Sequence, residues 1–174
     1  MKWERDYDEI DHFNKPVLNH HFQSLRIPLT NNIMSLTEKP GNLRLFGKES
    51  LTSTFTQALV ARRWQAFNFD AGTSIAFHPN TFQQAAGLVC YYNTENWTSA
   101  QITWDEDKGR IIDIVRCDNF TFSHPIHGSE IQVPAAVEYV HLQVQVREHS
   151  YQFYYSFDQK EWHEIPVAFE SYKL

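Results

Sequence analysis

The chain has 174 residues, a length typical of one domain, and its 15 basic and 21 acidic side chains give a net charge of −6. This acidic balance argues against nucleic acid and membrane surfaces as partners, and no apolar run approaches the roughly 20 residues of a membrane span. The two cysteines cannot build a disulfide framework. The polar, charged first residues do not resemble a signal peptide, so we expect a cytoplasmic protein.

Residues 1–17 differ in character from the rest of the chain. They are charged, show no periodicity and end at Pro16, which predicts a linker or N-terminal arm. The remaining residues, 18–174, are predicted to form one domain. Aromatic residues make up 15% of the chain, and rings favour the pleated, half-buried surfaces of β-sheets.

Short β-like runs alternate with turn signals along this domain. In chain order the runs cover residues 43–46, 67–69, 74–77, 87–92, 97–104, 110–115, 140–146, 151–155 and 163–165. The clearest run is 140–146, where valines and a leucine alternate with His141 and two glutamines at a period of two. Residues 54–64 are the helix candidate, and they fit an exposed strand as well. The spacing predicts an all-β, jelly-roll-type antiparallel β-sandwich.

Metal and thiol chemistry find little support in the histidines and cysteines. His20 and His21 are neighbours, which on a strand would point to opposite faces, and no His/Cys/Asp set has the spacing of a zinc site. Cys90 and Cys117 each lie in an apolar stretch, which indicates buried free thiols. We therefore expect no metal site and no cofactor.

The carboxylates cluster in turns. Residues 105–107 are all acidic and could hold calcium, but a solvated hairpin tip is the favoured interpretation. Asp158 is predicted to cap a tight turn through the backbone. A glycosidase needs two carboxyl groups about 5–10 Å apart, and the sequence does not exclude a pair such as Asp70 and Glu95. Nothing singles such a pair out, so the chain shows no catalytic constellation of its own.

One loop carries a large ring flanked by amides. Residues 79–84 lie between two apolar runs and include Phe82, which could fold back into the core or be presented to a partner. Rings at Tyr92, Trp97 and Trp104 could instead serve a carbohydrate surface if they are exposed.

Several stretches resemble the C-terminal accessory domain of glycoside hydrolase family 43 β-xylosidases. The similarity runs in order from about residue 8 to residue 174, and it is carried by FQSLRIP (22–28), LRLFGKESL (43–51), ARRWQAF (61–67), FQQAAGLVCYYN (82–93), ITWD (102–105) and FYYS (153–156). The resemblance implies a concanavalin A-like β-sandwich that packs on a five-bladed catalytic β-propeller.

The resemblance also implies a function. The propeller with its catalytic carboxylates is outside this chain, so we expect a non-catalytic accessory domain of a xylan-degrading hydrolase, acting on xylo-oligosaccharides or arabinosides only indirectly. By local motif, Phe82 takes the role of the family's loop phenylalanine, which helps close the sugar pocket. The alternative is a stand-alone, lectin-like carbohydrate-binding module.

The family's domain continues beyond the position that matches Leu174. We therefore expect a C-terminally truncated sandwich with an unpaired strand edge or an uncovered strip of core. Exposed edges template pairing with another chain, so self-association of the chain is a further expectation.

Overall fold

The structure, a computed structural model, describes residues 10–173, which divide into two compact units, one ending at Trp64 and one beginning at Gln65. In the first unit, β1 (Met34–Ser35) pairs with β2 (Arg44–Leu45) in an antiparallel ladder. The buried Gln57 side chain donates hydrogen bonds to two loop carbonyls, those of Leu51 and Ser53, at 2.6 and 2.7 Å. Residues 10–17 contain no helix or strand, and the predicted arm otherwise falls on residues 1–9, outside the described residues.

The second unit consists of two antiparallel sheets. Its strands are β3 (Asn68–Ala76), β4 (Ala86–Tyr91), β5 (Trp97–Asp105), β6 (Gly109–Asp118), β7 (Thr121–Ser123), β8 (Ile131–Gln132), β9 (Tyr139–Arg147), β10 (Ser150–Ser156) and β11 (His163–Glu170). One sheet has the order β11-β10-β9-β3, and the other has the order β4-β5-β6-β7 with β8 pairing to β6. No described residue lies in an α-helix, so the prediction of an all-β fold is confirmed.

The core of the second unit lies between the two sheets. The inward set of β9 predicted from the sequence is buried, and it packs with the inward faces of β5 and β6. Its main members are Ala100, Ile102, Ile112, Ile114, Val140, Leu142, Val144, Val146, Tyr151, Phe153 and Ile165. Alternating strands thus place one apolar face of each sheet against the other.

Three local predictions differ from the structure. The runs 67–69 and 74–77 belong to one continuous strand, β3, because Gly72 is accommodated in an unbroken ladder with β9. Strands β7 and β8 escaped the sequence analysis, since each has three residues or fewer and shows no period. Residues 54–64 form no helix; instead Gln57 and Ala61 make isolated bridges.

A hydrogen bond crosses the core between the sheets. The Tyr151 hydroxyl donates to Thr98 Oγ1 at 2.8 Å, and both residues are buried. Burial of the phenol raises the pKa of Tyr151, so it remains a donor at all ordinary pH values. The bond thus adds a directional link between the two sheets to the apolar contacts of the core.

Tyr151→Phe removes this hydroxyl, so Thr98 Oγ1 loses the hydrogen bond that Tyr151 donates. Because both partners are buried, we expect the free energy of unfolding to fall by about 1–2 kcal/mol in chemical denaturation. Tyr92→Phe is the matched control, since Tyr92 is exposed, and it should change stability by less than about 0.5 kcal/mol. Equal effects of the two substitutions would contradict the role assigned to Tyr151.

Candidate functional site

Phe82 lies in a loop at one end of the second unit. The loop joins β3 to β4, and the Phe82 side chain is 69% exposed. The ring therefore does not fold back into the core, which was the competing interpretation of the sequence. An exposed ring of this size is a feature that a partner surface can cover.

The backbone on either side of the ring is held in place. The Thr103 hydroxyl of β5 lies 3.0 Å from the Gln84 carbonyl and 3.3 Å from the Phe82 carbonyl. Within the loop, Gln84 N–H donates to the Thr81 carbonyl, and Gln84 Oε1 accepts from Asn80 N–H at 2.9 Å. The loop thus presents the ring from a fixed backbone, which lowers the entropy cost of docking it.

A buried arginine ties the start of this loop to its neighbours. Arg110 donates to the Phe77 carbonyl at 3.3 Å and to His78 Nδ1 at 2.9 Å. Its other terminal nitrogen donates to the carbonyls of Pro134, at 2.9 Å, and Val137. Burial lowers the pKa of Arg110, yet a guanidinium remains charged at neutral pH. These bonds hold two loops at the same end of the sandwich.

The sequence analysis missed both Arg110 and Thr103. A signal for Arg110 was present, because the alternation of β6 puts it on the inward face with Ile112 and Ile114. A charge in that register must find internal acceptors. Thr103 carried no comparable signal, since its two acceptors are backbone carbonyls.

A second set of polar contacts, after that of Arg110, surrounds Glu130 in the loop before β8. Glu130 accepts from Lys108 Nζ, from Gly128 N–H at 2.9 Å and from His127 Nδ1 at 3.2 Å. The Lys108 hydrogen bond and then the Gly128 N–H lower the pKa of Glu130 to about 2. Nearby, His124 Nδ1 lies 2.7 Å from Asp113 Oδ2. These contacts stabilise the loop.

The carboxylates singled out in turns have structural partners. Residues 106–107 are exposed at the tip of the β5–β6 hairpin, as the sequence predicted, and Asp105 Oδ1 accepts from Asp107 N–H and Lys108 N–H at 2.9 and 2.8 Å. Asp158 Oδ1 accepts from the backbone of Lys160 and Glu161 at 2.8 and 2.9 Å, which confirms the predicted turn cap. The N–H groups of Glu161 and Lys160 lower the pKa of Asp158.

Asp70 and Glu95 lie in elements of different sheets. Asp70 lies on β3 and forms an ion pair with Arg147 at 2.6 Å, whereas Glu95 lies in the loop after β4 in the other sheet.

Both cysteines are free and buried, as predicted. Burial raises the pKa of Cys90 to about 12 and also raises that of Cys117, so both thiols are protonated at neutral pH.

Exposure separates two of the rings that the sequence offered for a carbohydrate surface. Trp97 is only 5% exposed and packs edge-on against Phe122, so it is unavailable to a carbohydrate; Tyr92, at 71%, is exposed. His20 and His21 do not point apart: they lie in a turn rather than a strand, and their ring centroids are 4.0 Å apart.

Among residues 10–173, no group of three or more His, Cys, Asp or Glu side chains could hold a metal ion. The same residues include no helix long and apolar enough to cross a membrane.

The two antiparallel sheets of the second unit define the class of protein, an all-β sandwich domain. A family model described as "Beta xylosidase C-terminal Concanavalin A-like domain" matches residues 10–174. The chain belongs to this family of C-terminal, concanavalin A-like domains of β-xylosidases.

Individual relatives agree with this assignment. The chain is 55% identical over 172 residues to "Beta-xylosidase" of Bacillus subtilis (strain 168), covering 99% of this chain and 32% of the relative. It is 46% identical over 164 residues to "Putative beta-xylosidase" of Escherichia coli (strain K12), covering 94% and 31%. The chain thus spans about a third of the length of these relatives, in which the domain is part of a longer polypeptide.

A solved structure shows the same fold. The xylan beta-1,4-xylosidase from Bacillus halodurans C-125 superposes with a TM-score of 0.91 at 34% identity. The superposition covers 96% of this chain and 32% of that one. It confirms the concanavalin A-like sandwich implied by the resemblance.

Arg110→Lys tests the anchoring of the two loops. Lysine cannot reproduce the planar fork that reaches four acceptors, so we expect a loss of about 2–3 kcal/mol in the free energy of unfolding. Arg44→Lys is the control, because Arg44 makes an exposed ion pair with Glu38, and it should cost under about 0.5 kcal/mol. A loss at Arg110 no larger than the control would contradict the anchoring role.

Glu130→Gln tests the contribution of the Glu130 carboxylate charge to stability. A carboxylate whose pKa is lowered in the folded state stabilises that state above its unfolded pKa, and the contribution is lost as pH falls toward 2. We expect a loss of about 1 kcal/mol at pH 7 that shrinks steadily below pH 4, measured by urea denaturation. Glu106→Gln, at the exposed hairpin tip, should show neither effect. A loss that does not depend on pH would contradict the assignment.

Proposed function

We propose that this chain is a non-catalytic accessory domain of a β-xylosidase-like glycoside hydrolase, which packs on a catalytic propeller and helps close its sugar pocket with Phe82. The observation that carries the proposal is the exposed Phe82 ring on a loop fixed by Thr103 and Arg110. Sequestering a ring of this kind against a partner removes apolar surface from water at both faces of the contact.

The fixed loop supports a role in shaping a pocket rather than in chemistry. A ring that lines a sugar site excludes water and adds contacts to the substrate without transferring a proton. The carboxylates described above are committed to turn caps and ion pairs, as at Asp105, Asp158 and Asp70.

The substrate of the full-length protein belongs to the same proposal. The relatives are described as β-xylosidases, so xylo-oligosaccharides, or arabinosides of similar shape, would contact this domain only through the completed pocket. A cytoplasmic location stays a prediction. Self-association of the chain is also part of the proposal; in its support, β3 pairs only with β9 among the described strands.

A stand-alone carbohydrate-binding module is the second candidate. It is favoured by the outer face of the four-stranded sheet, where the row Gly72, Gln143, Tyr154 and Glu164 places polar side chains beside a gap at Gly72. Isothermal titration of the chain with xylo-oligosaccharides tests it directly. Binding that is lost in Tyr154→Ala would favour this module, whereas flat titrations would remove it.

Phe82→Ala tests the leading proposal in two settings. In the chain alone, the change should alter the free energy of unfolding by less than about 0.5 kcal/mol, because the ring is exposed. In a chimaera where this chain replaces the matched segment of the Bacillus subtilis β-xylosidase, kcat/KM on an aryl β-xyloside should fall about tenfold, equivalent to about 1.4 kcal/mol.

The matched control is Tyr92→Ala. Tyr92 is an exposed ring at the other end of β4, roughly 20 Å away along six strand residues, so its removal should leave turnover unchanged. A loss of several kcal/mol in the isolated Phe82→Ala chain, or equal turnover in both chimaeras, would contradict the role of Phe82.

A further inference from the structure

A second loop, residues 157–162, lies at the same end of the second unit as the loop 77–85. The first joins β10 to β11, and the second joins β3 to β4. In the four-stranded sheet, Ser74 of β3, His141 of β9 and Ser156 of β10 stand side by side in one row. Strands β3 and β10 both end within two residues of this row. The two loops therefore leave the same end of the sheet, two strand spacings or roughly 10 Å apart.

The 157–162 loop is braced from within by Asp158. Its Oδ1 accepts from the backbone N–H groups of Lys160 and Glu161 at 2.8 and 2.9 Å, and from the Ser156 hydroxyl at 3.1 Å. Three donors on one carboxylate oxygen give the loop a fixed shape.

The side chain of Gln159 ties this loop across the sheet. Gln159 Nε2 donates to Ser74 Oγ at 3.2 Å and lies 3.1 Å from His141 Nδ1, and Ser74 Oγ lies 2.7 Å from the same ring nitrogen. Burial lowers the pKa of His141, so the ring is neutral at pH 7 and can accept a hydrogen bond. The loop is thus held over β9 and against β3, the strand that leads into residues 77–85.

The backbone of Gln159 shows that this tie is demanding. Its φ is 62°, in the left-handed region that glycine adopts more readily than glutamine. Glycine at this position would relax the backbone, but it would lose the amide that reaches β3. The contacts of that amide offset the unfavourable backbone conformation.

The fixed loop exposes most of its residues. Residues 158–161 are exposed, and Trp162 at the end of the loop is 39% exposed. The loop at Phe82 has the same combination of a backbone held by hydrogen bonds and an aromatic ring open to solvent. A tryptophan on a preorganised loop suits the centre of a protein interface.

We infer that the 157–162 loop is a second contact between this domain and the catalytic domain, made by Trp162 and positioned by Gln159. The inference rests on the proposed function and extends it to a second loop. The catalytic domain is the expected occupant because this loop shares one end of the sandwich with Phe82. The matched segment is also only 32% and 31% of two relatives, so most of each polypeptide lies outside it.

The charges of the loop indicate the kind of surface that it fits. Lys160 and Glu161 are adjacent and opposite in sign, and the Asp158 carboxylate is engaged within the loop. A strongly acidic or basic partner surface would therefore gain little here. We expect a patch with an apolar centre that receives the Trp162 ring and a polar rim.

Lys160→Cys tests the contact in the Bacillus subtilis chimaera. Position 160 is exposed, so a maleimide should label it readily in the chain alone. In the chimaera, the labelling rate measured by mass spectrometry should fall at least tenfold, because the catalytic domain covers the loop. His149→Cys, in the exposed turn between β9 and β10 at the opposite end, is the control and should react at the same rate in both. The native Cys90 and Cys117 are buried and should react slowly.

Further substitutions in the Lys160→Cys background test the two assigned roles. The readout is the labelling rate of the chain alone divided by that of the chimaera, so that local loosening cancels. Gln159→Gly suits the left-handed backbone but removes the tie to β3, and it should lower this ratio at least threefold. Trp162→Ala should lower it similarly, Trp162→Phe should retain most of it, and Tyr92→Ala at the other end should not change it.

The outcomes separate this inference from the proposed function. Equal labelling of position 160 in chain and chimaera, with residues 78–85 protected from hydrogen exchange in the chimaera, would overturn the inference and leave the proposed function standing. No protection at either loop would overturn both. An unchanged ratio in Gln159→Gly or in Trp162→Ala would overturn the role assigned to that residue. Slower labelling of the chain alone on addition of xylo-oligosaccharides would make the loop a carbohydrate site instead.

Discussion

The buried guanidinium of Arg110 is the constraint on which the candidate site depends. A charge on the inward face of a β-sandwich is tolerated only if it is surrounded by acceptors, and Arg110 obtains them from the backbone at Phe77, Pro134 and Val137 and from His78. Satisfying one side chain thus holds together two loops that are distant in sequence. The loop that carries Phe82 begins at Phe77 and His78, and both of these residues accept hydrogen bonds from Arg110. The buried arginine therefore fixes where this loop starts.

The same end of the sandwich combines a fixed backbone with an exposed ring. The Thr103 hydroxyl donates to the carbonyls of Phe82 and Gln84, while the ring of Phe82 remains 69% exposed. A flexible loop would lose conformational entropy on docking, and a buried ring would offer no surface, so this combination suits a recognition element. It also fits a domain whose relatives carry it as about a third of a longer chain.

The fold was largely predictable, because alternation in residues 140–146 and the spacing of the turns follow from the period of a strand. The capped turn at Asp158 was predictable as well, since an aspartate there bonds to the backbone within three residues. The short strands β7 and β8 were not, because two or three residues carry no period. Alternation assigns the residues of β5 to two faces but does not show that both faces are buried. The burial of Trp97 was missed for this reason. The anchoring of the Phe82 loop could not be derived from neighbouring residues, because Thr103, which bonds to the Phe82 carbonyl, is 21 residues away.

The central claim is that the Phe82 end of this domain packs on a catalytic domain. Hydrogen–deuterium exchange of the chain alone and within the Bacillus subtilis chimaera measures this most directly. The account predicts that backbone amides of residues 78–85 become more protected in the chimaera, while those of residues 92–96, at the other end of β4, do not change. Unchanged exchange at residues 78–85, or new protection confined to residues 92–96, would contradict it.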